Sequence, residues 1–143
     1  MSNMRSKASS KKSTFPPLLH LSYVLQHLAE EKLEAEAGVG LSAARIMSVL
    51  QASSPASQRL IAMELRQTEA NVSRQLQSMN KHGLVSIARN KKDSRQRDVS
   101  LTSKGSRKYQ QANKILKKQQ KQFLKALSAS ESSILESAAQ KLA

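Results

Sequence analysis

The sequence predicts a mainly α-helical domain with a small antiparallel β-wing, and three observations support this prediction. Apolar residues recur at helical spacing over most of the chain. A helix predicted to follow Thr68 has a polar face opposite a narrow apolar seam. Two short strand-like runs, 84–89 and 97–102, flank a basic loop rich in residues that favour turns.

The net charge narrows the choice of partner. The 143 residues suffice for one domain of ordinary size, and they carry 24 Lys and Arg against 10 Asp and Glu, a formal charge of +14. Such a charge attracts nucleic acid, an anionic membrane or an acidic protein. Between Arg89 and Lys125 there are 13 basic and 2 acidic residues, net +11, whereas 30–36 is acidic. The charge is therefore concentrated on one face.

Several classes of function lack the residues that they need. The chain has no cysteine, no Gly-rich phosphate loop and no Gly-x-Ser-x-Gly motif, so we expect neither an enzyme nor a cofactor. Aromatic residues make up 3%, which argues against base-stacking platforms for single strands. No apolar run approaches the roughly 20 residues that span a bilayer, and no secretory signal is recognisable. We therefore expect a cytoplasmic protein that does not bind membranes.

The N-terminal third is predicted to hold a basic arm and two helices. Residues 1–15 are basic and rich in serine, which is typical of a disordered arm. Pro16 and Pro17 suit a helix N-terminus, and apolar residues then recur at helical spacing to about Ala37. Two glycines interrupt the pattern before a second helix over 41–51.

The middle of the chain is predicted to form two helices joined by a tight turn. Ser57 is a plausible N-cap for a third helix that ends near 66–67, and Thr68 is a plausible N-cap for a fourth. On the fourth helix Val72, Leu76 and Met79 fall within about 60° of one another at 100° per residue, so they form the buried seam. A glycine at position 83 suits the end of this helix.

Two strands and two helices are predicted to complete the chain. The strands are 84–89 and 97–102, and a long helix then starts at Thr102 or Ser103 and runs to about Leu127. Ser128 and Glu131 match a capping box at the start of the final helix. A helix able to enter a DNA groove, followed by a cationic hairpin, is the layout of a winged helix-turn-helix.

The residues in this layout resemble the MarR family of winged helix-turn-helix regulators from about residue 18 to the C-terminus. The most specific resemblance is in the wing, at Asp93-x-Arg95 and at Val99-x-Leu101-Thr102-x-x-Gly105. The upstream motifs that fit the same frame are Ile61-Ala62-x-x-Leu65, Val72-x-Arg74-x-Leu76 and Gly83-Leu84-Val85.

Four positions depart from the usual pattern of the family. Arg66 stands where a turn glycine is usual, at an expected cost of about 1 kcal/mol for a left-handed conformation. Gln67 stands where an apolar residue is usual. Leu60 and Met63 are apolar where the family is commonly polar, and they are expected either to line a cavity or to thicken the core.

The resemblance implies a single domain over 16–143, with a DNA-binding core (about 41–102) flanked by N- and C-terminal dimerisation helices (about 16–37 and 103–143). It implies a homodimeric repressor on a pseudo-palindromic DNA operator, with half-sites about one helical turn apart. It also implies a small effector bound between the dimer helices and the reading head. Tyr23, His27 and Met47 are the candidate pocket residues.

The expected DNA contacts follow from the chemistry of the side chains. Arg74 can donate two hydrogen bonds to guanine, and the amides of the fourth helix suit adenine. Arg95 fits a narrow minor groove, and Lys91 and Lys92, like Arg97, suit phosphate. Arg89 could contact phosphate or flank the strand, and the resemblance implies that Asp93 pairs with a nearby arginine. The full candidate set is Thr68, Asn71, Ser73, Arg74, Gln75, Gln77, Ser78, Lys81, Arg89, Lys91, Lys92, Asp93, Arg95 and Arg97.

Other interpretations remain open from sequence. The same fold and charge could coat DNA with little sequence preference, as a nucleoid-like protein does, or could serve as a protein-interaction module. The basic residues of the long helix (Lys114, Lys117, Lys118, Lys121 and Lys125) are either a solvated face or an additional DNA contact. The N-terminal arm offers the same choice. His20 and His27 would lie about 10.5 Å apart along a helix axis, too far for one metal ion, so no metal site is expected.

Overall fold

A computed structural model describes residues 14–143 and confirms the predicted fold class. The described residues form six helices and a three-stranded antiparallel sheet whose strand order is β1-β3-β2. Most of the predicted basic arm lies outside the described residues. In chain order the elements are α1 Pro17–Ala37, α2 Leu41–Ala52, β1 Ala56–Ser57, α3 Gln58–Leu65, α4 Glu69–Lys81, β2 Val85–Arg89, β3 Arg97–Leu101, α5 Ser103–Leu124 and α6 Ala129–Leu142.

The helix caps explain most of these boundaries. Ser57 Oγ accepts the backbone N–H of Leu60 at 3.0 Å, as predicted for α3. Ser128 and Glu131 form the predicted capping box at α6, with both reciprocal bonds present. Thr102 is the N-cap of α5. Helix α5 ends three residues earlier than the predicted Leu127, because the residues after it bond three positions back instead of four.

Strand β1 is an element that the sequence analysis missed. It is two residues long, too short to show the alternation that identifies a strand. Ala56 pairs with Val99 of β3, and Ile87 of β2 pairs with Val99 from the other side. Strand β3 is thus the central strand, and the hairpin of β2 and β3 forms the wing.

The main hydrophobic core lies in the part of the chain from α2 to β3, which we call the head. Helices α2, α3 and α4 and the sheet all contribute side chains to it. The predicted seam of α4 is confirmed, because Val72 and Leu76 are fully buried and Met79 is 4% exposed. Leu60 packs against the edge of this core, whereas Met63 is 67% exposed. Of the two outcomes expected for this pair, Leu60 thickens the core and Met63 takes no part in it.

Helices α1, α5 and α6, which we call the terminal helices, have a much smaller core. Leu33 of α1, Ala44 of α2 and Ala112 of α5 form one small buried cluster. Polar side chains of α5 add contacts to carbonyls of α1, including Lys108 Nζ to Ala37 O at 2.9 Å. Helix α6 has no buried residue in the described chain. No helix between residues 14 and 143 is long and apolar enough to cross a bilayer.

Glu30, in the acidic 30–36 segment of α1, contacts the start of α2. Its Oε2 accepts the backbone N–H of Leu41 at 2.7 Å, so it caps the first turn of α2. Nearby, Glu31 lies 3.3 Å from His27 Nε2, and Glu36 forms an exposed ion pair with Lys32 at 2.9 Å. Glu30 therefore ties α1 to the start of the head.

Gly105 forms a close joint between the wing and α5. A Cβ at this position would collide with the carbonyl oxygen of Leu84, which precedes β2. The same oxygen accepts both the backbone N–H and the hydroxyl of Thr102, each at 3.1 Å. The start of α5 is thus held directly against the chain that enters the wing.

Candidate nucleic-acid interface

Helix α4 presents the main polar surface of the head. Thr68 Oγ1 accepts the N–H of Asn71 at 3.2 Å, which confirms the predicted N-cap. The buried seam fixes one side of the helix against the core, so the opposite side is open to solvent. Exposed side chains on that open side are those of Ala70, Arg74, Gln77, Ser78 and Lys81. Arg74 has the guanidinium needed for a bidentate contact with guanine.

The turn before α4 adopts the conformation that the departure at Arg66 placed in question. Arg66 is left-handed, with φ 52° and ψ 44°, although it is not glycine. The N–H groups of Arg66 and Gln67 bond back to Met63 O at 3.2 Å and Ala62 O at 2.9 Å. These bonds close the end of α3 in the manner of a Schellman motif. The turn therefore forms without its usual glycine.

Gln67 has a local role that the sequence analysis did not foresee. Its Oε1 accepts hydrogen bonds from Asn71 Nδ2 at 3.1 Å and from Gln75 Nε2 at 2.9 Å. Asn71 and Gln75, like Ser73, are half-buried at the border of the polar face. Gln75 Oε1 is buried and has no hydrogen-bond partner among the described residues. The departure from an apolar residue at position 67 was the one available signal for this cluster.

The wing loop is held in shape by short polar side chains. Asn90 Oδ1 accepts the N–H groups of Lys92 and Asp93 at 2.9 and 3.0 Å. The Asp98 carboxylate accepts Asn90 Nδ2 and Gln96 Nε2, each at 2.9 Å. Asn90, one of the turn-favouring residues of the loop, and Asp98, which the sequence analysis did not single out, thus organise the loop that carries the basic residues.

Asp93 differs from the expectation that the resemblance supplied. Its Oδ1 accepts the backbone N–H of Arg95 at 3.0 Å, and no arginine side chain of the described chain forms an ion pair with it. The tight turn explains the difference, since a carboxylate two residues before an N–H can close an Asx turn. Asp93 stabilises the wing tip through the backbone.

The basic side chains of the wing have an arrangement that suits an anionic partner. Lys91, Lys92 and Arg95 are exposed. Arg97 is half-buried and donates from Nη1 to Ser94 O at 3.3 Å. Arg89 lies directly opposite Arg97 in the β2–β3 register. Like charges in such a pair repel each other, and a bound phosphate would relieve that repulsion.

The candidate effector residues do not form one site in a single chain. Tyr23 and His27 stack on the exposed surface of α1, with ring centroids 6.1 Å apart. Met47 is fully buried in the core of the head. A groove of about 440 Å³ lies elsewhere, between α5 and α6, where it is lined by basic residues of α5 and by Glu136. No group of three potential metal ligands occurs among residues 14–143.

Comparisons with known proteins agree with this geometry. Residues 37–96 match a family model described as the MarR family. No curated protein matches the chain in sequence. Among solved structures, a mutant MarR from E. coli superposes with a TM-score of 0.79 at 20% identity, covering 90% of this chain and 96% of that one.

Two further solved structures of this fold were determined with a bound partner. The complex of S. aureus MepR with DNA has a TM-score of 0.75 at 20% identity and covers 87% of this chain and 92% of that chain. The regulator PcaV from Streptomyces coelicolor, in complex with its natural ligand, has a TM-score of 0.75 at 18% identity, covering 90% and 92%. These likenesses establish a shared fold.

Proposed function

We propose that the chain is a DNA-binding transcription regulator of the MarR family, which acts as a dimeric repressor and recognises a specific pseudo-palindromic operator. The observation that carries this proposal is the open polar face of α4. It lies on a helix whose other side is fixed by fully buried Val72 and Leu76, so its side chains have defined directions. A rigid helix with exposed donors matches the major groove.

The wing supplies the second part of the proposed interface. Lys91 and Lys92 would contact phosphate, which positions the protein without reading sequence. Arg95, at the exposed tip, would enter the adjacent minor groove, where a narrow A·T-rich stretch concentrates negative potential. The Asn90 and Asp93 bonds support this role, because they hold the loop backbone in one shape before DNA arrives.

The terminal helices supply the proposed dimer interface. In the single chain Leu18, Tyr23 and Ile134 are 69%, 67% and 66% exposed. A helix of 14 residues without buried side chains is marginal in water, so α6 needs a partner surface. An isologous contact between two copies would cover the apolar residues of α1 and α6 together and would give the two-fold symmetry of a palindromic site.

We extend the proposal to release by a small effector. A ligand between the terminal helices and the head would have to bind one spacing of the two α4 helices better than another. The stacked rings of Tyr23 and His27 would supply an aromatic surface for such a ligand, and the structure of PcaV with its natural ligand supports the extension. Unchanged operator affinity across a panel of phenolic compounds would exclude this extension.

The test of the main proposal is selection of preferred sites from random duplexes, followed by affinity measurements at about 0.15 M salt. We expect a pseudo-palindromic motif that binds about 10³-fold or more tightly than scrambled DNA. Arg74→Ala should reduce the preference at one base pair of each half-site by about tenfold or more. Arg107→Ala, which removes an exposed arginine from α5, is the matched control. Binding without a motif would instead indicate a DNA-coating protein.

A further inference from the structure

A cluster of three amides lies at the entry to α4, and the winged helix-turn-helix layout does not require it. Gln67 Oε1 accepts one hydrogen bond from Asn71 Nδ2 and one from Gln75 Nε2, at 3.1 and 2.9 Å. The three residues are spaced four apart, so they lie along one flank of the helix and its preceding turn. We call this group the amide cluster.

The position of Gln67 makes its side chain a fixed acceptor. Its N–H bonds to Ala62 O at 2.9 Å, which anchors the residue to the end of α3. The left-handed Arg66 before it and the N-cap Thr68 after it hold the backbone on both sides. The half-buried carboxamide thus offers its oxygen to α4 from a site that the head core determines.

The two partners of Gln67 differ in the hydrogen-bonding groups that remain available to DNA. Gln75 Oε1 is buried without a partner in the described chain, so Gln75 cannot offer a donor and an acceptor together to a base. Asn71 uses its nitrogen toward Gln67, and an amide nitrogen carries two hydrogens, so one donor and the Oδ1 acceptor remain. One donor beside one acceptor is the pattern that the major-groove edge of adenine requires.

We propose that Gln67 is a positioning residue for DNA recognition, which with Gln75 as a brace fixes the amide plane of Asn71 so that Asn71 reads adenine. The inference rests on the proposed function of α4 as the reading helix. It assigns different roles to Asn71 and Gln75, which the sequence analysis treated as equivalent readers. It also gives Gln67 a function at a position where the family usually has an apolar side chain.

The test measures base preference at each position of the selected operator for four variants. Gln67→Leu should lower the preference for adenine at one base pair of each half-site by about tenfold, the size of one amide contact. Asn71→Ala should remove that preference, and the double variant should match Asn71→Ala alone, because the two changes act on one contact. Gln51→Leu, the same change at an exposed site on α2, should alter nothing.

A conservative variant distinguishes a loss of Asn71 positioning from a loss of folding and from an effect of charge. Gln67→Glu retains oxygens that accept both amide hydrogens, so it should keep the adenine preference while binding all sequences more weakly through charge repulsion. Thermal unfolding verifies that each variant is folded, and Gln67→Met supplies a second apolar side chain should Gln67→Leu not fold.

The possible failures are distinguishable. If the wild-type protein selects no motif, the proposed function fails and the inference fails with it. If the wild type selects a motif that Gln67→Leu leaves unchanged at every position, the proposed function stands and the positioning role is wrong. An equal loss of preference at all positions would likewise overturn the inference, because it would mark a structural effect.

Discussion

The head and the terminal helices differ in how completely one chain can bury their apolar residues. In the head, Ile46, Leu50, Leu76 and other large side chains have no exposed surface. In the terminal helices, buried residues are few, and Leu18, Tyr23 and Ile134 remain mostly exposed. The head therefore buries its large apolar side chains within one chain, whereas the terminal helices leave large apolar side chains exposed to solvent.

This difference indicates a division of labour between the two regions. A reading surface works best when its side chains start from a rigid base, and the closed core of the head supplies that base. The terminal helices leave much of their apolar surface outside the single chain, so their stability is expected to depend on protein concentration. The two regions should consequently respond differently to substitution.

The largest expected effect is in the head core. Leu76→Ala removes a fully buried side chain at the centre of the α4 seam and should lower the free energy of unfolding by about 3 kcal/mol. Urea unfolding followed by circular dichroism at fixed protein concentration measures the change. Met63→Ala is the control, because truncating an apolar side chain at a 67% exposed position of α3 should cost far less. Equal losses would contradict the comparison.

The next effect concerns the apolar surface of the terminal helices. Ile134→Asp places a charge on an apolar residue of α6 that is 66% exposed in the single chain and should weaken dimerisation roughly 30-fold or more. Sedimentation equilibrium measures the dissociation constant. Hydrogen exchange should show that α4 remains protected in the variant.

The control for this experiment is Ser133→Asp, which adds the same charge to the next residue of the helix. It should leave the dimer largely intact, since position 133 lies about 100° around the helix from position 134. A chain that is monomeric before any substitution would show that a different partner covers α6.

A smaller effect distinguishes the basic surfaces of the two regions. Lys92→Ala removes an exposed wing lysine and should reduce the slope of log affinity against log salt by about 1. Lys118→Ala makes the same change on exposed α5 and should leave the slope unchanged if that face is merely solvated. A lower slope for Lys118→Ala and an unchanged slope for Lys92→Ala would indicate that α5, and not the wing, contacts phosphate.

The smallest effect is a pH dependence in α6. The N–H of Ser128, and then its hydroxyl, hold the pKa of exposed Glu131 below its usual value of 4.5. Because the folded pKa is lowered, the stabilisation is complete above the unfolded pKa and is lost as the pH falls through the folded one. The protection factors of the α6 amides, which are corrected for the intrinsic exchange rate at each pH, should therefore fall below about pH 4.5. Glu131→Gln should remove this dependence, and an unchanged profile would show that the capping box does not contribute.

Local patterns predicted the elements whose signals are local. The α4 seam and the caps at Ser57, Thr68 and Ser128 each depend on residues within one or two helical turns, and the structure confirms them. Strand β1 depends on pairing with β3, more than 40 residues away, and two residues leave no pattern of their own. Its existence is decided by tertiary contact.

The sequence predicted which elements carry the candidate interface, but it did not predict the hydrogen bonds among its side chains. The exposure of Arg74 and of the wing lysines follows from their place on a helix face and in a loop. The bonds of Gln67 and Asp93 depend on side-chain directions, which spacing alone does not define. The family resemblance supplied an ion pair for Asp93, and the observed turn uses its carboxylate for a backbone N–H instead.

Because α5 is held closely at Gly105, near its N-terminus, a small tilt there produces a large displacement at its other end. Its 22 residues extend for about 33 Å, so a tilt of about 10° at the joint moves the far end by about 6 Å. No side chain separates the helix from the Leu84 carbonyl, so there is little free space for the N-terminus of α5 to move. A displacement at the far end of α5, where Lys121 borders an open groove, would therefore be transmitted to the chain segment that enters the wing.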